Sequence, residues 1–566
     1  MRGCERAVRL YGTGRRGPGA SGPCGHTGVA HRAPVGVLFT RMSRESDDSS
    51  PAGYAPGMET RRPLRTFAIG IGTAGLLLSG CSAGGSSPSA SATGTAAPEG
   101  LSSYYTQKLS WRDCGVEGFQ CATMKAPKDY DKPDDGDVDL AVSRKKATGP
   151  GKRIGSLLVN PGGPGGSAIG YLQGYAALGY PAPVRARYDM VAIDPRGVAR
   201  SEPVTCLSGK EMDAYTQVDQ TPDDEAEVGK LTDAFEKFAA GCEKRSGAIL
   251  PYVSTVDTAR DMDVLRALLG DEKLNYVGAS YGTFLGATYA DLFPKRAGRL
   301  VLDGAMDPSL KAIDMNRDQT AGFEGAFQSF AADCVKQADC PLGTTSTADA
   351  AAALKQLFKD LDADPVPAGD DRELGEALAT TGVIAAMYDE AAWPQLREAL
   401  AGAQRSDGSG LLSLADSYYE RDPDGKYANL MFANAAVNCL DLPPAFDGPD
   451  AVEKALPDFE KASPVFGRGF AWASLNCAYW PTEATGTPHP TEAKGAAPIL
   501  VVGTTRDPAT PYKWSESLAD QLSSGTLLTY EGDGHTAYGR GSDCIDTAIN
   551  TYLLEGTPPK NGKKCT

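Results

Sequence analysis

The chain has 566 residues, enough for two domains or one large decorated domain. Hydrophobic residues make up 41% and charged residues 23%, the balance of a globular protein. A formal net charge of −16 argues against a nucleic-acid partner.

The elements run in order from an atypical start. Residues 1–57 are rich in Arg and Gly and lack apolar periodicity. They read as a non-native or disordered extension, because Met58 opens a sensible segment. Residues 58–80 read as a signal peptide, with Arg61, Arg62 and Arg65 ahead of an apolar run from Phe67 to Leu78. "TRRPLR" loosely resembles a twin-arginine export signal. Leu78-Ser79-Gly80-Cys81 resembles the bacterial lipobox, in which the Cys is acylated and becomes the new N-terminus. Ordinary secretion with a fortuitous Cys81 is the alternative. Residues 81–102 form a Ser/Ala/Gly/Pro linker. Nothing after residue 81 is long and apolar enough to span a membrane, so membrane contact is expected through a lipid anchor at most. The expected location is the outer face of a bacterial cell membrane, or the medium.

Cysteine usage fits export. Of 13 Cys, Cys4 and Cys24 precede the leader and Cys81 ends it. The others are Cys114, Cys121, Cys206, Cys242, Cys334, Cys340, Cys439, Cys477, Cys544 and Cys565. Their number is even and none forms a CxxC pair, so a zinc site is not expected. Neighbour pairing is the expectation: Cys114–Cys121, Cys206–Cys242, Cys334–Cys340, Cys439–Cys477 and Cys544–Cys565. Sequence alone leaves the connectivity open.

From residue 103 to 308, short apolar runs alternate with helical patterns. The runs are "GSLLVN" (155–160), "DMVAID" (189–194), "LNYVG" (274–278) and "RLVLDG" (299–304). Their length and aliphatic content suit buried parallel strands. Val228, Leu231, Phe235, Phe238 and Cys242 step by three and four, which predicts an amphipathic helix. Residues 103–145 are expected to add an antiparallel edge. From 309 to 495 the pattern turns helical. There Ser346 and Asp349 suggest a capping box before a face of Leu354, Leu357, Phe358 and Leu361. Strands resume in 496–566 with "APILVVG" (497–503) and "TLLTYEG" (526–532). The predicted fold is α/β, a doubly wound and mostly parallel sheet with a helical cap inserted between core strands.

The chemistry-bearing residues follow those strands. Gly278-Ala279-Ser280-Tyr281-Gly282 fits G-x-S-x-G between a strand and a helix. That turn places a Ser hydroxyl at a helix N-terminus, so Ser280 is the candidate nucleophile. A nucleophilic Ser needs a base, and the chain has four His. His26 and His31 precede the leader, and His489 lies in a proline-flanked loop. His535, just past the last apolar strand, remains. Asp507 follows the penultimate strand and is the favoured orienting carboxylate. Asp303, after an earlier strand, is the competitor, with loop bracing as its other role. "VNPGGPGGSAIG" (159–170) lets the backbone approach a reacting carbonyl. The N–H groups of Gly163 and Tyr281 are the candidate oxyanion donors. A phosphate cradle is disfavoured, since the loop has no GK[ST] and no dinucleotide-binding spacing.

Taken together, "NPGGPGGS", "DPRGVARS", "GASYGT", "LDGAMDP" and "RDPATP…GDGHT" resemble the tripeptidyl-aminopeptidase-like branch of the α/β-hydrolases, related to prolyl aminopeptidases. The resemblance covers roughly residues 105–565. It implies a triad of Ser280, Asp507 and His535, a helical cap and a secreted serine exopeptidase. Cys439 in "VNCLD" and Cys477 in "NCAYWP" also fit the branch. One departure is Pro161, which stands where prolyl aminopeptidases usually carry a His.

These residues support acyl transfer through an acyl-enzyme, with no cofactor and no metal. Short peptides are the expected substrates, with small esters as the alternative and a non-catalytic binding role as the third. Reading a free N-terminus requires a carboxylate for the ammonium, and Asp441 is the candidate, with a solvated or capping Asp as its alternative. Trp472, Tyr479 and Trp480 line an apolar pocket or belong to the cap core.

Overall fold

The computed structural model describes residues 97–566. The expected extension at 1–57, the leader at 58–80, the acylated Cys81 and the linker up to residue 96 lie outside them. Twelve strands are present: β1 (Arg112–Asp113), β2 (Phe119–Pro127), β3 (Asp137–Lys145), β4 (Gly155–Asn160), β5 (Tyr188–Ile193), β6 (Leu274–Ala279), β7 (Ala297–Asp303), β8 (Val366–Pro367), β9 (Glu373–Leu374), β10 (Ile499–Arg506), β11 (Gly525–Asp533) and β12 (Lys563–Cys565). Ten of them form one sheet in the order β1-β2-β3-β5-β4-β6-β7-β10-β11-β12. The pairings from β1 to β5 through β2 and β3 are antiparallel, and all the others are parallel. The antiparallel edge therefore falls where residues 103–145 predicted it.

The parallel strands are buried on both faces. Every residue of β4 is buried, as are Ile499 to Thr504 of β10, which is why they read as unbroken apolar runs. Helices pack into the surrounding cores by their apolar stripes. The helix Glu225–Ser246 buries Leu231, Phe235, Phe238 and Cys242, while Val228 is half-buried. Its start is fixed by Asp224, whose carboxylate accepts the N–H groups of Ala226 and Glu227.

Strand order places the site. β4 lies between β5 and β6, so the connections from β4 and β5 leave in opposite directions and open a crevice at the carboxyl ends. Asn160 of β4 pairs with Gly278 of β6, and Ala279 pairs with Asp303 of β7. Val502 of β10 also pairs with Asp303, and Arg506 pairs with Asp533 of β11. The segments after β4, β6, β7, β10 and β11 thus emerge side by side.

Between β7 and β10 the described chain is mostly helical, with the small β8–β9 hairpin as its only sheet. Helices Ala312–Cys334, Thr347–Ala363, Glu376–Met387, Trp393–Ala403 and Ser409–Tyr419 share a core of their own, including Phe327, Leu354, Val383, Leu396 and Leu411. Ser346 caps Thr347–Ala363 by accepting the Asp349 N–H at 3.1 Å, and its hydroxyl donates to the Asp349 carboxylate. The helix Leu430–Asp441 differs. Its Phe432, Ala436, Val437 and Leu440 join the sheet-side core with Tyr281 and Leu285. The insertion is therefore anchored into the body of the protein and not merely laid over it.

The ten described cysteines form five disulfides between neighbours: Cys114–Cys121, Cys206–Cys242, Cys334–Cys340, Cys439–Cys477 and Cys544–Cys565. Such usage fits an oxidising, exported setting. No helix among the described residues is long and apolar enough to cross a membrane.

Candidate active site

Ser280 sits at the turn between β6 and the helix Tyr281–Leu292 with φ 56° and ψ −127°. A non-glycine residue in such a conformation costs about 1–3 kcal/mol, so the surroundings must enforce it. They do so through hydrogen bonds. The Ser280 N–H donates to the Asp303 carbonyl at 2.9 Å. The Ser280 carbonyl accepts from the Thr283 N–H at 2.8 Å and the Thr283 hydroxyl at 2.6 Å. The flanking glycines supply space. A side-chain carbon at Gly278 would collide with the Gly282 carbonyl and the Tyr276 ring, and one at Gly282 would lie 2.9 Å from the Asn160 carbonyl. The G-x-S-x-G spacing is thus a packing requirement of the turn.

His535 follows β11. Its Nδ1 lies 2.8 Å and 3.0 Å from the two carboxylate oxygens of Asp507. Asp507 is 2% exposed, and its Oδ1 also accepts the N–H groups of Ala509 (3.0 Å) and Thr510 (2.8 Å). Its Oδ2 accepts the Thr536 N–H at 3.2 Å. This anchoring fixes the carboxylate before it meets the imidazole. With Nδ1–H given to Asp507, the imidazole keeps its lone pair on Nε2, the form a general base needs. Gly304, which follows β7, brings the elements together. A side-chain carbon there would sit 3.3 Å from His535 Cε1, while the preceding residue, Asp303, receives the Ser280 N–H.

Asp303, the competing carboxylate, does other work. Its oxygens accept the N–H groups of Ala537 (3.0 and 3.1 Å) and Tyr538 (2.9 Å). It braces the loop that carries His535, and burial raises its pKa to about 6. His489 is exposed, with Nδ1 2.7 Å from the Thr487 carbonyl.

The loop after β4 reaches the elbow through Gly162. A side-chain carbon on Gly162 would sit 2.5 Å from the Ala279 carbonyl and 2.9 Å from both Ser280 Cβ and the Tyr281 nitrogen. Asn160 shapes this loop by accepting the Gly162 N–H at 2.8 Å. Gly163 follows with φ 115°, and its N–H donates to no group among the described residues. The Tyr281 N–H is the first of its helix and has no carbonyl a turn before it. The "DPRGVARS" motif supports the far end of the same loop. Buried Asp194 accepts the Ser167 hydroxyl at 2.8 Å and the Ile169 N–H at 2.9 Å. Arg196 forms a buried two-pronged pair with Asp261 at 2.8 and 2.7 Å.

Inserted helices close over these groups. The His535 N–H donates to the Tyr388 carbonyl at 2.9 Å, and the two rings meet edge-on with centroids 5.5 Å apart. Asn434 donates to the Pro164 carbonyl at 3.2 Å. A side-chain carbon on Gly163 would touch Leu430 at 3.4 Å.

Asp441 is placed differently from the expectation of an ammonium site. It is buried, and Thr255 occupies both oxygens, with N–H to Oδ1 at 2.8 Å and hydroxyl to Oδ2 at 2.5 Å. Burial raises its pKa to about 7. It corresponds to the capping alternative, at the N-terminus of the helix Thr255–Leu268. Trp472 is buried in a core with Phe235 and Phe459, Tyr479 packs against that core, and Trp480 packs against the sheet-side core.

Sequence reasoning passed over Asn160, Thr255 and Tyr388. Asn160 lies inside the glycine motif already identified, without a role assigned to it, whereas the other two are brought in only by tertiary packing. Among the described residues, Asp219, Asp362 and Glu376 offer oxygens within 4.8 Å of one another, the geometry for holding a cation. Burial, with added repulsion from Asp219 and Asp362, raises Glu376 to about 7.

Residues 155–381 match the family described as α/β hydrolase fold, and residues 463–565 match the family described as TAP-like protein. The chain is 40% identical over 492 residues to serine protease Hip1 of Mycobacterium tuberculosis, covering 81% of this chain and 91% of that protein. It is 39% identical over 470 residues to a protein named carboxylesterase B of the same species, covering 81% and 89%. It is 32% identical over 476 residues to tripeptidyl aminopeptidase of Streptomyces lividans, covering 81% and 86%. Among solved structures, proline iminopeptidase of Mycobacterium smegmatis aligns with 15% identity and a TM-score of 0.30, over 77% of this chain and 98% of that one. By its motifs, its sheet and these relatives, the chain belongs to the TAP-like branch of the α/β-hydrolases.

Proposed function

We propose that the protein is a serine exopeptidase that releases short N-terminal peptides through an acyl-enzyme. The observation that carries this reading is the grip of Asp507 on His535 Nδ1 at 2.8 Å, which leaves Nε2 for the role of base, together with a Ser held at a strained turn. Ser280 Oγ attacks the scissile carbonyl while His535 Nε2 takes its proton. The Gly163 and Tyr281 N–H groups receive the oxyanion, each worth about 3 kcal/mol in the transition state. His535 returns the proton to the leaving amine, and water then releases the acyl group. Relatives named serine protease and tripeptidyl aminopeptidase support peptide substrates. The relative named carboxylesterase B supports a second reading, ester hydrolysis by the same groups.

The inserted helices act as a cap that admits a chain end and excludes a folded protein. Recognition of a free amino terminus calls for an anion in that cleft, and Glu420 meets the requirement better than Asp441. Glu420 ends the helix Ser409–Tyr419 at φ 51° and is half-buried. No group among the described residues bonds its carboxylate, and burial raises its pKa. Tyr418, two residues earlier, packs on Tyr388, which packs on His535. The Glu420 carbonyl accepts the Ala428 N–H, which leads directly to Leu430 beside Gly163. Outside the described residues, Cys81 is the proposed lipid attachment point.

The test uses protein starting near residue 100 and tripeptide anilides with free or acetylated N-termini. Cleavage of the free form alone, abolished by Ser280→Ala, is expected, and Glu420→Gln should raise KM for that form only. Cleavage of simple esters but of neither anilide would favour the esterase.

A further inference from the structure

Asp441 carries no cation beside it among the described residues, yet it is buried within the body of the protein. Its hydrogen bonds run in one direction. Thr255 has one hydroxyl proton, and with that proton on Asp441 Oδ2 at 2.5 Å its oxygen becomes an acceptor. The Tyr281 hydroxyl, also at 2.5 Å, is then the donor to that oxygen. The relay is therefore Tyr281 to Thr255 to Asp441. Among the described residues, Thr255 is the sole hydrogen-bond partner of the buried Tyr281 hydroxyl.

The carboxylate end of the relay is rigid. The Thr485 and Gly486 N–H groups bond the Leu440 carbonyl, and a side-chain carbon on Gly486 would collide with the Asp441 carbonyl. Cys439, two residues earlier, is tied to Cys477. The Thr255 N–H, at the positive end of the helix Thr255–Leu268, bonds Asp441 Oδ1 and suits a carboxylate there. The other end of the relay is the residue after Ser280. Tyr281 presents its ring to Thr255 and its N–H to the reaction.

We propose that Asp441 is a positioning residue for the oxyanion hole: through Thr255 it pins the Tyr281 ring and so holds the Tyr281 N–H on the reacting carbonyl. This rests on the reading of Ser280 as nucleophile. It differs from an ammonium site in what it predicts. A positioning residue acts on every acyl substrate and acts on turnover, whereas an ammonium site acts on the binding of free-amine peptides.

The experiment compares wild type, Asp441→Asn, Tyr281→Phe and the double variant on a free-amine tripeptide anilide and on a p-nitrophenyl ester. In Asp441→Asn the amide donates to Thr255 and reverses the relay, while Tyr281→Phe removes its first member with little change of shape. Each is expected to lower kcat about tenfold on both substrates with KM within about twofold, a displaced donor costing less than a deleted one. The double variant should lose no more than the worse single variant, because both cut one chain of bonds. Thermal unfolding checks that Tyr281→Phe remains folded where Asp441→Asn does not. Losses that multiply in the double variant would overturn the proposal, as would a KM increase confined to the free-amine peptide. Labelling of wild-type Ser280 by a fluorophosphonate separates the two layers. Without labelling the nucleophile reading falls and takes the proposal with it, whereas with labelling intact those kinetic outcomes refute the positioning role alone.

Discussion

Gly162→Ala probes the contact between the glycine loop and the elbow. The new methyl would lie 2.5 Å from the Ala279 carbonyl and 2.9 Å from both Ser280 Cβ and the Tyr281 nitrogen. None of these is the free end of a flexible side chain, so the loop must retreat. Gly162 also has φ 95°, outside the region open to alanine, which adds about 1–2 kcal/mol. Overpacking adds about 1–3 kcal/mol, for a total destabilisation of about 2–5 kcal/mol. A retreating loop carries the Gly163 N–H away from the oxyanion, and losing one such donor lowers kcat about 10²–10³-fold. Chemical unfolding measures the first effect, and steady-state kinetics with fluorophosphonate labelling measures the second. Gly174→Ala is the control, since nothing lies within 4 Å of a carbon added there. A Gly162→Ala enzyme with kcat within about threefold of wild type would refute the assignment of this loop to the oxyanion.

Asp507→Asn should keep the fold, because an amide oxygen still accepts the Ala509 and Thr510 N–H groups, while kcat falls about 10⁴-fold through loss of the required His535 tautomer. Retention of more than about a tenth of the activity would remove Asp507 from the triad. The Asp441 carboxyl, raised by burial to about 7, holds its proton longer in the folded state than in the unfolded one. Its contribution to stability is complete below about pH 4 and is lost as pH rises through 7. Unfolding from pH 4 to 8 should therefore show the stability gap between wild type and Asp441→Asn moving in favour of the variant; a gap constant with pH would contradict the burial. Replacing Cys439 and Cys477 together by Ala opens a loop whose ends are 38 residues apart and should cost about 3–4 kcal/mol by denaturant unfolding. A loss below about 1 kcal/mol would mean that the cap anchor is held by packing alone.

Much of the fold was legible because its parallel strands are buried on both faces. "GSLLVN" and "APILVVG" announce themselves by unbroken apolar character, and β4 and β10 fall on them. The edges carry no such signal. β12 is short and polar, and it joins the sheet where Cys565 is tied to Cys544. Ser280, His535 and Asp507 are candidates by type, order and elimination, and the structure brings Asp507 and His535 into hydrogen-bond contact. The competition between Asp303 and Asp507 could not be resolved in one dimension, because both end apolar strands. Three dimensions separate them, since Asp303 accepts the backbone of 537–538 while Asp507 accepts His535. Asp441, expected as an ammonium site, is instead buried with Thr255 on both oxygens, and the reason is similar. Its sequence gives no sign of its surroundings, and only packing beside Thr255 and Tyr281 buries it.

The disulfide pattern bears on how the chain reaches this state. Among the described residues each cysteine is paired with its neighbour in sequence, with spans of 7, 36, 6, 38 and 21 residues, and no bridge encloses or crosses another. A chain entering an oxidising compartment from its N-terminal side presents these partners two at a time. First-come pairing among the ten is then native pairing. No bridge spans β6, β10 or β11, so the strands that lead to Ser280, Asp507 and His535 are ordered by sheet pairing and not by oxidation. Oxidation need not wait for the fold, and reshuffling of bridges is not a required step on the way to it.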